Sequence, residues 1–170
     1  MKAVSELLKK HDGTLWHVTP AMTVFEAVEQ LARLEVGALL VMDGDRLAGV
    51  FSERDYTRKI TLLGRNSRET LVSEIMTANV ITVNATTRTR ECMSLMSARK
   101  IRHLPVVEGE RVLGMISIRD IMDDIISDHE HTIASLESYI QSWGLSAHYA
   151  RRRRRARASR CTPSRSMSLS

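Results

Sequence analysis

Ser52, Arg54 and Asp55 in "FSERDYTRKI" recur as Ser117, Arg119 and Asp120 in "ISIRDIMDDI", sixty-five residues further on. Each triplet ends an apolar, strand-like run and opens a stretch that reads as helix. In that setting the Asp falls in a helix's first turn. Unpaired backbone N–H groups and a partial positive charge there favour phosphate. A carboxylate at such a loop can accept two hydrogen bonds from a ribose cis-diol, as an acidic residue does in dinucleotide folds. The Ser hydroxyl donates or accepts, and the Arg guanidinium offers forked donors to phosphate or carboxylate. The same residues have a plainer use. Ser can cap the helix, and Asp in the first turn stabilises it by roughly 0.3–1 kcal/mol. One copy would favour the plainer use. Two copies in register suggest a duplicated unit, and with it a duplicated site.

The elements that position these residues repeat with them. An ungapped comparison of 18–55 with 83–120 gives ten identities in thirty-eight positions, among them Val18/Val83, Glu26/Glu91, Gly49/Gly114 and Asp55/Asp120. Apolar swaps such as Leu31/Met96 and Phe51/Ile116 keep the same register. Each copy reads as a short extended piece, a helix, two strands about a polar turn (Asp43-Gly44, Glu108-Gly109) and a second helix. The order is β-α-β-β-α, twice. Thr23 and Glu26 form a capping box for the first helix, with Val24, Ala27, Val28, Leu31 and Leu34 on its apolar face. In the second copy Arg88 replaces Thr23, leaving Thr86 or Thr87 as the cap, and the face carries Thr89, Cys92, Met93 and Met96. A half of roughly sixty residues is marginal alone, so the halves are expected to pack on each other. Residues 128–143 read as a final amphipathic helix with Ile133, Leu136 and Ile140 on one side, and 144–170 as a disordered Arg/Ser-rich tail.

The duplicated Gly-h-h-Ser-x-x-Asp, the hairpin "HLPVVEGERVLGMIS" and the segment "VSEIMTANVITV" resemble a tandem pair of CBS domains, a Bateman module. The chain is most similar to small stand-alone bacterial CBS pairs. The resemblance covers about 4–127, as repeat one over 4–65 and repeat two over 66–127. It implies an α+β fold of two β-α-β-β-α repeats packed about a pseudo-two-fold. It also implies an adenosine nucleotide (AMP, ADP, ATP or NAD) bound between the repeats. The Asp of each motif would hold the ribose and apolar strand residues would enclose the adenine. Thr19 of Thr19-Pro20 would contribute, and the basic pair Arg102-His103 would reach phosphate. Copy one has Gly37-Ala38 where copy two has Arg102-His103, so the cleft using Arg102, His103, Ser117 and Asp120 is expected to be the better one. Arg58, Lys59, Arg65 and Arg68 could reach a phosphate too, but read more simply as a solvated face. The resemblance further implies a homodimer, an effector protein that the sequence does not name, and no catalysis.

Charge and composition bound the alternatives. The 170 residues carry a net charge of +5, but residues 151–170 hold eight arginines and no acid. The remaining seventeen basic residues face twenty acidic ones, leaving 1–150 at −3. Nucleic acid is therefore expected only at the tail, through counterion release; a solvated tail without such a role is the simpler reading. No apolar run approaches the ~18–20 residues of a membrane span, and "MKAVSELLKKHDG" lacks the apolar core of a signal peptide. Two cysteines, Cys92 and Cys161, in dissimilar segments fit a reducing cytoplasm. His103, Ser117 and Asp120 include no evident oxyanion site, so a triad is not expected. His129 and His131 lie two apart on a helix and do not pair for a metal. The rival to nucleotide binding is an interaction protein with empty clefts that recruits a protein or RNA through its last helix or tail.

Overall fold

The computed structural model describes residues 2–9 and 13–158, with side chains up to residue 140. It divides into two units, Met1–Ile125 and Ile126–Ser170. The first holds both repeats. Repeat one contains β1 (His17–Val18), α2 (Val24–Leu34), β2 (Ala38–Asp43), β3 (Arg46–Ser52) and α3 (Glu53–Tyr56), preceded by α1 (Val4–Leu8). Repeat two contains β4 (Val83–Asn84), α5 (Thr89–Arg99), β5 (His103–Glu108), β6 (Arg111–Ser117) and α6 (Ile118–Ala158), preceded by α4 (Val72–Ile75). Each forms a three-stranded sheet, β1-β2-β3 and β4-β5-β6, with the first pair parallel and the second antiparallel. Both hairpins shift register at the same place, Val41/Met42 and Val106/Val107. The expected β-α-β-β-α order is present twice.

The leading helices are exchanged between the repeats. Val4 and Leu7 of α1 are buried in the core of repeat two, beside Cys92, Met96, Leu104 and Ile116. Val72 and Ile75 of α4 are buried in the core of repeat one, beside Val24, Leu39, Phe51 and Ile60. The backbone follows suit. Lys2 and Thr87 carbonyls accept from Thr89 and Val4 N–H groups, while the Thr70 and Met22 carbonyls accept from Val24 and Val72. Neither repeat therefore completes its core from its own segment, in keeping with the marginal size of a sixty-residue half. A third cluster of Leu40, Met42 and Val112 joins residues of both hairpins.

The exchange explains two motif glycines. A Cβ on Gly49 would lie 2.9 Å from the Thr77 carbonyl oxygen and 2.9 Å from Met76 Sδ. A Cβ on Gly114 would lie 2.8 Å from Leu8 Cδ2. Each glycine is the place where the other repeat's leading segment crosses the sheet, and Val50 and Thr77 exchange backbone hydrogen bonds there.

Three local expectations change. The N-cap of α5 is Arg88, without a side-chain cap; the Thr87 hydroxyl accepts from Asn84 N instead, and the Lys2 carbonyl covers the first N–H. Met93 is exposed rather than on the buried face of α5, which uses Thr89, Cys92 and Met96. No separate last helix begins at 128. The helix opened by Ser117 runs unbroken through Ala158, so the expected disorder from 144 is not found up to that residue. Alanine and arginine are strong helix formers, and the charge of the run does not cancel that preference. Residues 159–170 of the expected tail lie outside the described residues.

Candidate functional site

Both Ser-x-Arg-Asp corners form the same reciprocal cap. Asp55 Oδ2 accepts from Ser52 N at 3.1 Å and from Ser52 Oγ at 2.6 Å, while Asp55 N donates to Ser52 Oγ at 3.3 Å. Asp120 Oδ2 accepts from Ser117 N and Oγ, both at 2.7 Å, and Asp120 N donates back at 3.3 Å. The plainer capping use is therefore present in both copies. It occupies one carboxylate oxygen, which leaves the question of what the other faces.

At Asp55 the other oxygen faces a cleft. Oδ1 accepts from Lys59 Nζ at 2.9 Å and from Thr77 Oγ1 at 3.2 Å. Lys59 also donates to the Ile75 carbonyl at 2.6 Å, which ties it to the exchanged helix α4. Lys59 sits in a π-helical stretch, Thr57–Thr61, that continues α3; such wide turns often mark functional sites. The cleft has a volume of about 660 Å³ and is lined from both repeats. That volume is in the range of small-molecule sites. Val50, Val80, Ile81 and Ile101 supply an apolar wall, and Arg58, Lys59, Arg99, Lys100 and Arg102 supply positive charge. Arg54 lines it too, but its guanidinium donates to the Lys100 carbonyl at 2.6 Å, a bond between the repeats.

His103 stands at the shared wall. It pairs with Ser117 across the β5–β6 ladder, and its ring comes within 3.4 Å of where a Cβ on Gly37 would be. Burial, and then the Arg102 and Arg54 charges, hold its imidazole down at about 4 against the opposing pull of Asp120. The ring is thus neutral at pH 7, able to donate from one nitrogen and accept at the other.

Arg102 and His103 line the cleft of Ser52 and Asp55. They also adjoin their own Ser117 and Asp120, through the His103–Ser117 pairing and the Ile118 N–H that donates to the Arg102 carbonyl. The start of β5 lies against the Ser52–Asp55 corner of the other repeat, where the His103 ring approaches Gly37 and the Lys100 carbonyl accepts from Arg54. Thr19, Ser117, Arg119 and Asp120 are not among the walls of this cleft. Arg58 and Lys59, read as a solvated face, belong to it. Arg65 instead pairs with Glu74, and Arg68 lies 3.7 Å over the Phe25 ring.

Arg99 and Lys100 were not legible as site residues, yet the sixty-five-residue shift carries the signal. It pairs Arg58 with Asp123, Lys59 with Asp124, Arg99 with Leu34, Lys100 with Glu35 and Arg102 with Gly37. The repeats share the carboxylate corner and differ in sequence around it: these basic residues of the Asp55 cleft have no basic counterpart in the other copy, and Asp124, the counterpart of Lys59, is buried and paired with Lys2. Lys100 also holds φ 55°, a left-handed conformation usually left to glycine at a helix end.

These features define a class: a two-repeat ligand-binding module whose cleft, at the junction of its halves, joins a carboxylate, an apolar wall and a cationic rim. The CBS-domain family profile matches residues 4–61 and 72–127, and the chain belongs to that family. It is 38% identical over 138 residues to the CBS domain-containing protein CBSX3, mitochondrial, of Arabidopsis thaliana, covering 78% of this chain and 67% of that one. A solved CBS-domain structure from Burkholderia ambifaria MC40-6 is 43% identical with a TM-score of 0.72, covering 75% of this chain and 96% of that one. The CBS domain protein PAE2072 of Pyrobaculum aerophilum, solved in complex with AMP, is 26% identical with a TM-score of 0.63, covering 70% and 89%. CBS pairs are regulatory modules. Among the described residues no helix is long and apolar enough to cross a membrane.

Proposed function

We propose that this chain is a regulatory module that binds an adenosine nucleotide in the Asp55 cleft without transforming it. The observation that carries the reading is the placement of Asp55 Oδ1 between an apolar wall and five basic side chains drawn from both repeats. A ribose cis-diol suits the carboxylate edge. The adenine ring suits Val50, Val80, Ile81 and Ile101. The phosphates suit Arg58, Arg99, Lys100 and Arg102. Hydrogen bonds to charged groups contribute roughly 1.5–3 kcal/mol each, so a few support micromolar affinity. AMP in the PAE2072 complex supports the ligand class.

Because the cleft is lined by both repeats, a ligand there would favour one relative placement of them, in proportion to its differential affinity. An effector protein or a second copy would read that placement. Titration calorimetry of the full chain with AMP, ADP, ATP and NAD tests the reading. Saturable heat and a raised melting temperature are expected with at least one. No heat and no thermal shift at millimolar nucleotide would reject it in favour of an interaction protein with empty clefts.

A further inference from the structure

The second unit, the distal part of α6, carries an apolar stripe that the described residues leave open. Ile126, Ile133, Leu136 and Ile140 are 52%, 56%, 57% and 68% exposed. With His129 between them, their spacing is three and four residues in alternation, the a and d positions of a heptad repeat. Between 126 and 140 isoleucine holds the three a positions, and Leu136 and His129 hold d. The sequence continues the register with Trp143, Ala147 and Ala150. A face of this kind, sustained along a helix, marks an interaction site rather than scattered surface residues.

We infer that α6 pairs in parallel with α6 of a second copy of this chain, as a two-stranded coiled coil. Two observations select that occupant. In parallel coiled coils, β-branched isoleucine at a with leucine at d favours two strands over three or four. The flanking charges select the direction. Glu130 and Glu137 both fall at e, and Thr132 and Tyr139 at g. An antiparallel pair would set e against e and bring these carboxylates together. A parallel pair sets e against g, so Glu137 meets the uncharged Thr132 of the partner subunit, whose hydroxyl donates to its own Asp128 carbonyl, and no carboxylate faces another. His129 would form a polar layer that holds the register, as a polar core residue does in other coiled coils. The inference does not rest on nucleotide binding and would stand without it.

The test uses the full chain with Cys161→Ser and a single cysteine at a d position, Leu136→Cys, against a solvent-side control, Ser138→Cys. Under mild oxidant the Leu136→Cys protein is expected to form a reducible dimer at least tenfold faster than the control. Adding Ile133→Asp and Ile140→Asp should abolish that cross-link while circular dichroism and melting of the repeats are unchanged. Sedimentation equilibrium of the parent should give at least twice the chain mass. A cross-linking rate no greater at 136 than at 138 overturns the inference, as does a monomeric parent at micromolar concentration.

Discussion

Lys59 Nζ lies 2.9 Å from Asp55 Oδ1, inside the cleft and one helical turn along the same element. The pair is partly buried, with Asp55 at 13% and Lys59 at 40% exposure. The lysine therefore neutralises the carboxylate edge that a ribose would use, and a ligand must share or displace it. Its second bond, to the Ile75 carbonyl, gives the ammonium a place to remain when Asp55 takes a hydroxyl pair.

Asp55→Asn should accordingly weaken nucleotide binding by about tenfold or more, the loss of roughly one charge-assisted hydrogen bond. Asparagine keeps an oxygen for the Ser52 cap, so melting should fall by little. Calorimetry alongside a thermal melt separates the two effects. Loss of binding together with a large loss of stability would mean that the cap, not the ligand contact, is what Asp55 supplies.

Asp120→Asn should leave that binding within about twofold, because Asp120 is not among the residues that line the cleft. Arg102→Ala should weaken ATP by about tenfold and adenosine hardly at all, since a guanidinium at the rim meets phosphate and not the base. The comparison is a set of four titrations. Equal losses for ATP and adenosine would remove Arg102 from the phosphate site, and a larger effect at Asp120 than at Asp55 would exchange the roles of the two clefts.

The motif glycines should differ in cost although they occupy equivalent positions. In Gly49→Ala the new methyl meets the Thr77 backbone carbonyl at 2.9 Å, and the exchanged segment must shift. About 1–3 kcal/mol of destabilisation is expected, the usual range for overpacking. In Gly114→Ala it meets only Leu8 Cδ2, the far end of a side chain that can turn aside. That variant should lose under ~1.5 kcal/mol. Urea unfolding of both proteins gives the comparison, and an equal loss would show that the backbone contact at Thr77 is not the deciding one.

Much of the fold was legible because it repeats. Periodicity, the polar turns and the shift of sixty-five placed every strand, and Ser52, Arg54, Asp55, Arg102 and His103, singled out by position, line one cleft. Their place opposite the other repeat was not legible. Adjacency along one repeat puts Arg102 beside Ser117 and Asp120, and packing sets it on the cleft of Asp55 as well. The helix exchange was hidden for a related reason. "VSEL" at 4–7 and "VSEI" at 72–75 are sixty-eight residues apart, so an ungapped comparison at sixty-five slides past them. The length of α6 was masked by reading arginine as charge before reading it as a helix former.

The His103 imidazole should make stability depend on pH. The folded ring titrates at about 4, held down first by burial and then by Arg102 and Arg54, whereas an unhindered ring titrates near 6.5. Between those values the unfolded chain binds the extra proton and the folded chain does not. Stability is therefore complete above pH 6.5 and declines as pH falls toward 4. The decline is about 3 kcal/mol at most, and smaller in so far as solvent screens the partly exposed ring. Glu26 and Glu74, both held low by hydrogen bonds to their helix starts, change stability in the same direction at lower pH, so the parent must be compared with His103→Gln. Urea melts at pH 7.5 and 4.5 should show a smaller drop for His103→Gln than for the parent. Bound phosphate beside the ring would favour its protonated form, so saturating ATP should shrink the parent's drop and leave that of the variant unchanged. Equal drops in parent and variant would show that His103 is not the group that titrates.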